Sequence, residues 1–114
     1  MSRAHSAAEA ALTHAAPVFA ALGDPTRLRV VARLCAEGPL SITQLSEGAK
    51  VTRQAITKHL LVLSSAGLTS NRRQGRERIW ELQPSRVNAA QRYLDQISAN
   101  WDAALSRLKS FVEE

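Results

Sequence analysis

From Val87 to Phe111, apolar residues recur at steps of 3, 4, 3, 4, 3, 4 and 3: Val87, Ala90, Leu94, Ile97, Trp101, Ala104, Leu108 and Phe111. That spacing is the a/d seam of a helix that lays one stripe against a neighbour. Leu105 and Val112 widen the stripe, and Pro84 suits the first turn, so the helix should run from there to the C-terminus, about 40 Å. A chain of 114 residues has one domain's worth of core and cannot easily bury such a helix along its whole length. The seam therefore predicts a homodimer whose interface contains Leu94, Ile97, Trp101, Leu105 and Leu108, with the Ala-rich N-terminal helix packed beside it. Packing wholly against its own domain is the competing reading.

The remaining punctuation divides residues 1–83 into short elements. Residues 4–16 are Ala-rich and helical, and Pro17 then allows a separate short helical turn with Val18, Phe19 and Leu22. Asp24 is an N-cap followed by Pro25 at the first helical position. The helix it opens reaches about Ala36, with Leu28, Val31, Ala32 and Cys35 spaced as an apolar face that places Cys35 in the core. Gly38-Pro39 stops it. Ser41 opens a short helix, Gly48-Ala49-Lys50 turns the chain, and Thr52 caps a longer helix that ends before Gly67. Two strand-like runs, 68–73 and 77–83, flank Gln74-Gly75-Arg76 as a hairpin. The expected fold is mainly α with a β-hairpin wing: a winged helix-turn-helix occupying residues 1–114 as one domain.

On a helical wheel of residues 52–65, Arg53, Gln54, Thr57, Lys58 and Leu61 share one face, and Ala55, Ile56, His59, Leu60 and Leu63 share the other. The second face is core, with His59 half-buried and satisfied. The first suits duplex DNA: Arg bonds guanine bidentately, Gln bonds adenine, Thr touches base or phosphate, and Lys neutralises phosphate. A solvated amphipathic helix would show the same pattern. The hairpin favours DNA, because Arg72, Arg73, Arg76 and Arg78 fall within seven positions and repel one another unless a polyanion lies opposite. The whole chain agrees: fifteen Lys and Arg against ten Asp and Glu give a net charge of +5, with a pI near 10.4.

Four stretches together resemble the ArsR/SmtB family of bacterial winged-helix repressors. They are Phe19 to Arg29 (FAALGDPTRLR), Val51 to Leu60 (VTRQAITKHL), Leu63 to Leu68 (LSSAGL) and Arg73 to Arg78 (RQGRER). They stand in family order across residues 18–83. The resemblance implies a homodimer on an imperfect inverted repeat near a promoter, repressing until an effector loosens it. It places base reading on Arg53, Gln54, Thr57 and Lys58. It also marks two departures. The family often has Gly in the turn where this chain has Lys50, with Gly48 two residues earlier. One family metal site uses a Cys-x-Cys pair at positions that fall on Ser41 and Thr43, and another uses Asp and His on the terminal helices. The last helix here has Asp95 and Asp102 but no His. Hydroxyls are weak ligands for soft metals, so neither a metal site nor any other cofactor is expected.

Cys35 is the sole cysteine, which excludes an internal disulfide and points to a reducing, cytoplasmic setting. No run approaches the roughly 18–20 apolar residues that span a bilayer, and the N-terminus does not read as a secretory signal. No nucleophile, base and stabiliser fall together, so an enzyme is not expected. The leading expectation is a sequence-specific DNA-binding repressor with an unknown small-molecule effector. The alternatives are a thiol- or ligand-responsive repressor using Cys35 and a winged-helix module for protein association.

Overall fold

The computed structural model describes the backbone of residues 3–113 and the side chains of residues 9–113 other than Ala11. The elements run α1 (Arg3–Leu22), α2 (Pro25–Glu37), β1 (Leu40–Ser41), α3 (Ile42–Ser46), α4 (Arg53–Ser65), β2 (Thr69–Gln74), β3 (Glu77–Leu82) and α5 (Pro84–Glu113). This is a winged helix-turn-helix, as expected, and the caps are those foreseen. The Asp24 carboxylate accepts from the Arg27 backbone N–H at 3.0 Å, and Thr52 Oγ1 accepts from that of Ala55 at 3.1 Å. Ser41 and Gln44 form a reciprocal capping box.

Three elements differ from expectation. Pro17 lies inside α1, which continues to Leu22 instead of breaking. Proline removes one helical N–H, yet Ala15, Val18 and Ala21 on either side of it are all buried, and this shared packing carries the helix across. In α2 the buried residues are Val30 and Leu34. Leu28 is half exposed, and Cys35 is exposed, not core. The apolar residues of α2 form two overlapping stripes, and packing against α4 and β3 selects the other one. The third difference is β1, two residues long, which pairs antiparallel with β3 through Leu40↔Trp80 and Ser41↔Ile79. The sheet order is β1-β3-β2.

One core joins these pieces. Leu60 and Leu63 of α4, Leu68 at the foot of the wing and Trp80 of β3 are almost fully buried, and Val18, Ile56 and Leu45 pack with them. Burial of each large apolar side chain stabilises by about 1.5–3 kcal/mol, so α4 is anchored along its whole inner face. The wing's Thr69 hydroxyl donates to the Leu60 carbonyl at 3.3 Å, tying β2 to α4.

α5 shares little of that core. Ala90 is buried and Tyr93 packs on Phe19 of α1, ring centroids 6.1 Å apart. Beyond Ile97 every described residue is exposed. The Cα radius of gyration is 18.6 Å, against about 13 Å for a compact chain of this size. The projecting helix is the cause.

Candidate nucleic-acid interface

The helix-turn-helix is α3, the connection from Glu47 to Thr52, and α4. Its corner is Gly48, at φ +71°, a left-handed conformation that costs glycine little. The corner therefore stands two residues before Lys50, the position where the family often has glycine. α3 is only five residues long and is held from both ends. The capping box fixes its start. At its other end Arg33 of α2 donates from Nη1 to the carbonyls of Gln44 at 2.9 Å and Leu45 at 3.3 Å. The same guanidinium is oriented by Glu37, Nε to Oε2 at 2.8 Å. This pairing raises the Arg33 pKa and lowers that of Glu37. Sequence reasoning missed Arg33, because nothing in its local pattern marks contacts eleven and twelve residues away.

α4 presents the face that the wheel selected. Ile56, Leu60 and Leu63 are buried, while Arg53, Gln54 and Lys58 are exposed. Those three make no side-chain hydrogen bond or ion pair with any described residue. Thr57 differs: its hydroxyl donates back to the Arg53 carbonyl at 2.9 Å. It can offer a duplex only its oxygen lone pairs and its methyl group. Leu61, on the same side, is 54% exposed, so the wing does not cover it.

His59 is half-buried and partnered, as expected. Arg27 Nη1 lies 3.4 Å from His59 Nδ1, and the Asp24 carboxylate lies 3.9 Å from the same nitrogen. Arg27 Nε also donates to the Ala21 carbonyl. This small polar cluster ties α4 to the junction of α1 and α2. The Asp24 pKa is held below the ordinary carboxylate value, chiefly by the hydrogen bond from the Arg27 backbone.

The hairpin separates its four arginines. Gln74 pairs with Glu77, leaving Gly75 and Arg76 as a two-residue turn. Gly75, at φ +65°, stands where a type II′ turn requires a positive φ. Arg76 is therefore at the tip. Arg73 and Arg78 are cross-strand partners, and alternation puts them on the sheet face that buries Thr69 and Trp80 further down. Arg72 lies on the opposite face and pairs with Glu81 at 3.0 Å. Arg78 donates to Asn71 Oδ1 at 2.6 Å.

The residues at the family's metal positions have other roles here. Ser41 is buried as the α3 cap, and Thr43 is exposed beside it. Among the described residues no three His, Cys, Asp or Glu side chains cluster closely enough to hold a metal ion, and no helix is long and apolar enough to cross a membrane.

A short capped helix, a glycine corner and a second helix with an unpartnered polar face, beside an arginine-bearing hairpin, define a DNA-binding class of protein. Residues 22–70 match a family model described as a helix-turn-helix domain. The chain is 36% identical over 93 residues to the HTH-type transcriptional regulator Rv2034 of Mycobacterium tuberculosis, covering 82% of this chain and 83% of that protein. It is 31% identical over 70 residues to the arsenical resistance operon repressor of Bacillus subtilis, covering 61% and 67% of the two chains. An ArsR-like transcriptional regulator from Rhodococcus sp. RHA1 has a similar solved structure, with a TM-score of 0.73 and 35% identity over 87% of this chain and 92% of that one. The chain belongs to the ArsR/SmtB family of winged helix-turn-helix transcriptional regulators. Its activity is that of the class, DNA-binding regulation of transcription rather than enzymatic catalysis.

Proposed function

We propose that this regulator acts as a homodimeric repressor on an inverted repeat in double-stranded DNA, with residues 1–114 forming one winged-helix domain. Arg53, Gln54, Thr57 and Lys58 read the major groove, and Arg72, Arg73, Arg76 and Arg78 hold the flanking backbone. The observation that carries this reading is the exposed, unpartnered set Arg53, Gln54 and Lys58 on a helix whose opposite face is locked in the core. Side chains of that kind near the start of a recognition helix reach base edges. Arg72 is the weakest wing contact, since Glu81 already neutralises it.

The open face of α5 supports the dimer. Leu94 is 51% exposed, Trp101 64% and Leu108 58%. Leu105 is similarly open, while Ile97 is half-buried. A contiguous apolar stripe of this size calls for a partner, and a second copy supplies a matching seam. A small-molecule effector completes the scheme. Thiol control through Cys35 is a second form of it, favoured by the exposure of that side chain. Oxidant-dependent release of DNA that disappears in Cys35→Ser would select that form.

Selection of bound duplexes from a random library, followed by footprinting, tests the main reading. The expected result is two protected half-sites with two-fold symmetry, about one helical turn apart. Recovery of unrelated sequences with no common half-site would contradict it.

A further inference from the structure

Behind the helix-turn-helix corner is a cleft of about 430 Å³ that the DNA-reading residues do not line. One wall is α2, and the other is the connection from Glu47 to Val51. Its size falls in the range of small-molecule sites, about 300–1,000 Å³. Its floor is apolar: Val30, Leu45 and Ile56 are core residues whose outer edges show here, and Val51 is half-buried beside them. Its rim is basic. Arg29 and Lys50 both line it, both are exposed, and neither has an ion-pair partner among the described residues. Arg33 also lines the cleft, but its charge is matched by Glu37 and its Nη1 holds α3. Glu47 is the sole carboxylate on the lining, against the two unmatched cations.

We propose that this cleft binds a small anionic amphiphile, an aromatic or short-chain carboxylate, with its apolar body on the Val30–Leu45–Val51–Ile56 floor and its carboxylate between Arg29 and Lys50. Charge complementarity selects the head group, and the apolar floor selects the body. A bare phosphate, including that of DNA, would satisfy the rim and leave the floor uncovered. The occupant sits between α2 and the segment that leads into Thr52, the cap of α4. It also neutralises Lys50, two residues before that cap, and so removes positive charge from the end of α4 that meets phosphate. Bound ligand therefore weakens DNA binding, and by linkage DNA weakens ligand binding by the same factor. This second half rests on the DNA-binding reading above, whereas occupancy of the cleft does not.

The probe is 2-naphthoate, with neutral 2-naphthamide as its control, titrated into the isotopically labelled full-length chain and followed by amide NMR shifts. 2-Naphthoate should give saturable shifts confined to residues 26–33 and 45–56. Arg29→Gln combined with Lys50→Gln should raise its Kd by about tenfold, the effect of losing about 1.4 kcal/mol of attraction from two exposed charges. Binding of 2-naphthamide should change by less than about twofold, since a neutral ligand gains little from either charge. Shifts that map to the α5 seam, that fail to saturate, or that weaken equally for both compounds would overturn the site. In a parallel anisotropy assay, saturating 2-naphthoate should release DNA from the wild type. Firm DNA binding unchanged by saturating ligand would overturn the regulatory half. A chain that binds no DNA would overturn the proposed function, while the NMR titration would still decide the cleft.

Discussion

Arg73 of β2 and Arg78 of β3 stand directly opposite each other in the wing. Like charges in that position destabilise a hairpin, by up to about 1 kcal/mol, and no described carboxylate lies between them. An arrangement that costs the free protein stability fits a surface that works against a polyanion. Arg73→Gln should therefore raise the melting temperature slightly while weakening binding to every duplex, with the salt dependence falling by about one unit. Arg72→Gln breaks an internal ion pair instead and should affect DNA binding less. Thermal melts and salt titrations on random duplex check both. A larger binding loss for Arg72→Gln than for Arg73→Gln would reverse the assignment of the two wing faces.

Leu94→Glu with Trp101→Glu should give a folded monomer. Both side chains are mostly open in the single chain, so the exchange leaves the chain's own core intact. Light scattering should report half the wild-type mass with an unchanged helical circular dichroism spectrum. Retention of the dimer would move the interface off this seam.

Arg33 should matter to DNA binding without touching DNA. Arg33→Ala removes the donor that holds the Gln44 and Leu45 carbonyls. The stability loss should be modest, on the order of 1 kcal/mol after discounting for solvent screening. Arg33→Lys should not restore it, because an ammonium cannot match Glu37 in a fork and reach both carbonyls at once. Denaturant unfolding and anisotropy on the same preparations test this. Full rescue by lysine would show that only the charge is needed.

Asp24 gives a pH dependence whose sign is fixed. Its carboxyl is held below the ordinary value in the folded chain, so its charged form stabilises the fold above the unfolded pKa of about 3.9. That contribution is lost as the pH falls through the still lower folded pKa. Asp24→Asn keeps a neutral cap and should melt below wild type at pH 7. The gap should begin to narrow as the pH falls below about 4 and keep narrowing as the folded carboxyl protonates. A gap that stayed constant below about pH 4 would mean that the charge is not the source of the stabilisation.

What the sequence made legible was local. Asp24, Ser41 and Thr52 are caps because their side chains reach backbone N–H groups three residues on, so a short window holds the whole signal. The two faces of α4 follow from one helical period and an unambiguous division of residue types. What stayed hidden depends on contacts distant in sequence. β1 is too short to carry a period and exists because Trp80 and Ile79 pair with it. Either stripe of α2 could have been buried, and Cys35 lay on the one left open. Counting four arginines in the wing could not show that alternation turns Arg72 toward Glu81. Along α5 the seam was plain, but only the structure separates Ala90, buried within the chain, from Leu94 and Trp101, left open.

The most direct test is fluorescence anisotropy of wild type, Arg53→Ala, Gln54→Ala and Arg76→Ala, each on the selected operator, on a scrambled duplex and on an operator with 5 bp inserted at its centre, at several salt concentrations. Loss of Arg53 or Gln54 should cost about 1–3 kcal/mol on the operator and little on scrambled DNA. Loss of Arg76 should weaken both duplexes alike. The insertion should abolish tight binding, because about half a helical turn carries one half-site to the far side of the duplex. Equal losses on operator and scrambled DNA for Arg53→Ala and Gln54→Ala, together with tight binding to the spaced site, would contradict a symmetric dimer that reads its operator through α4.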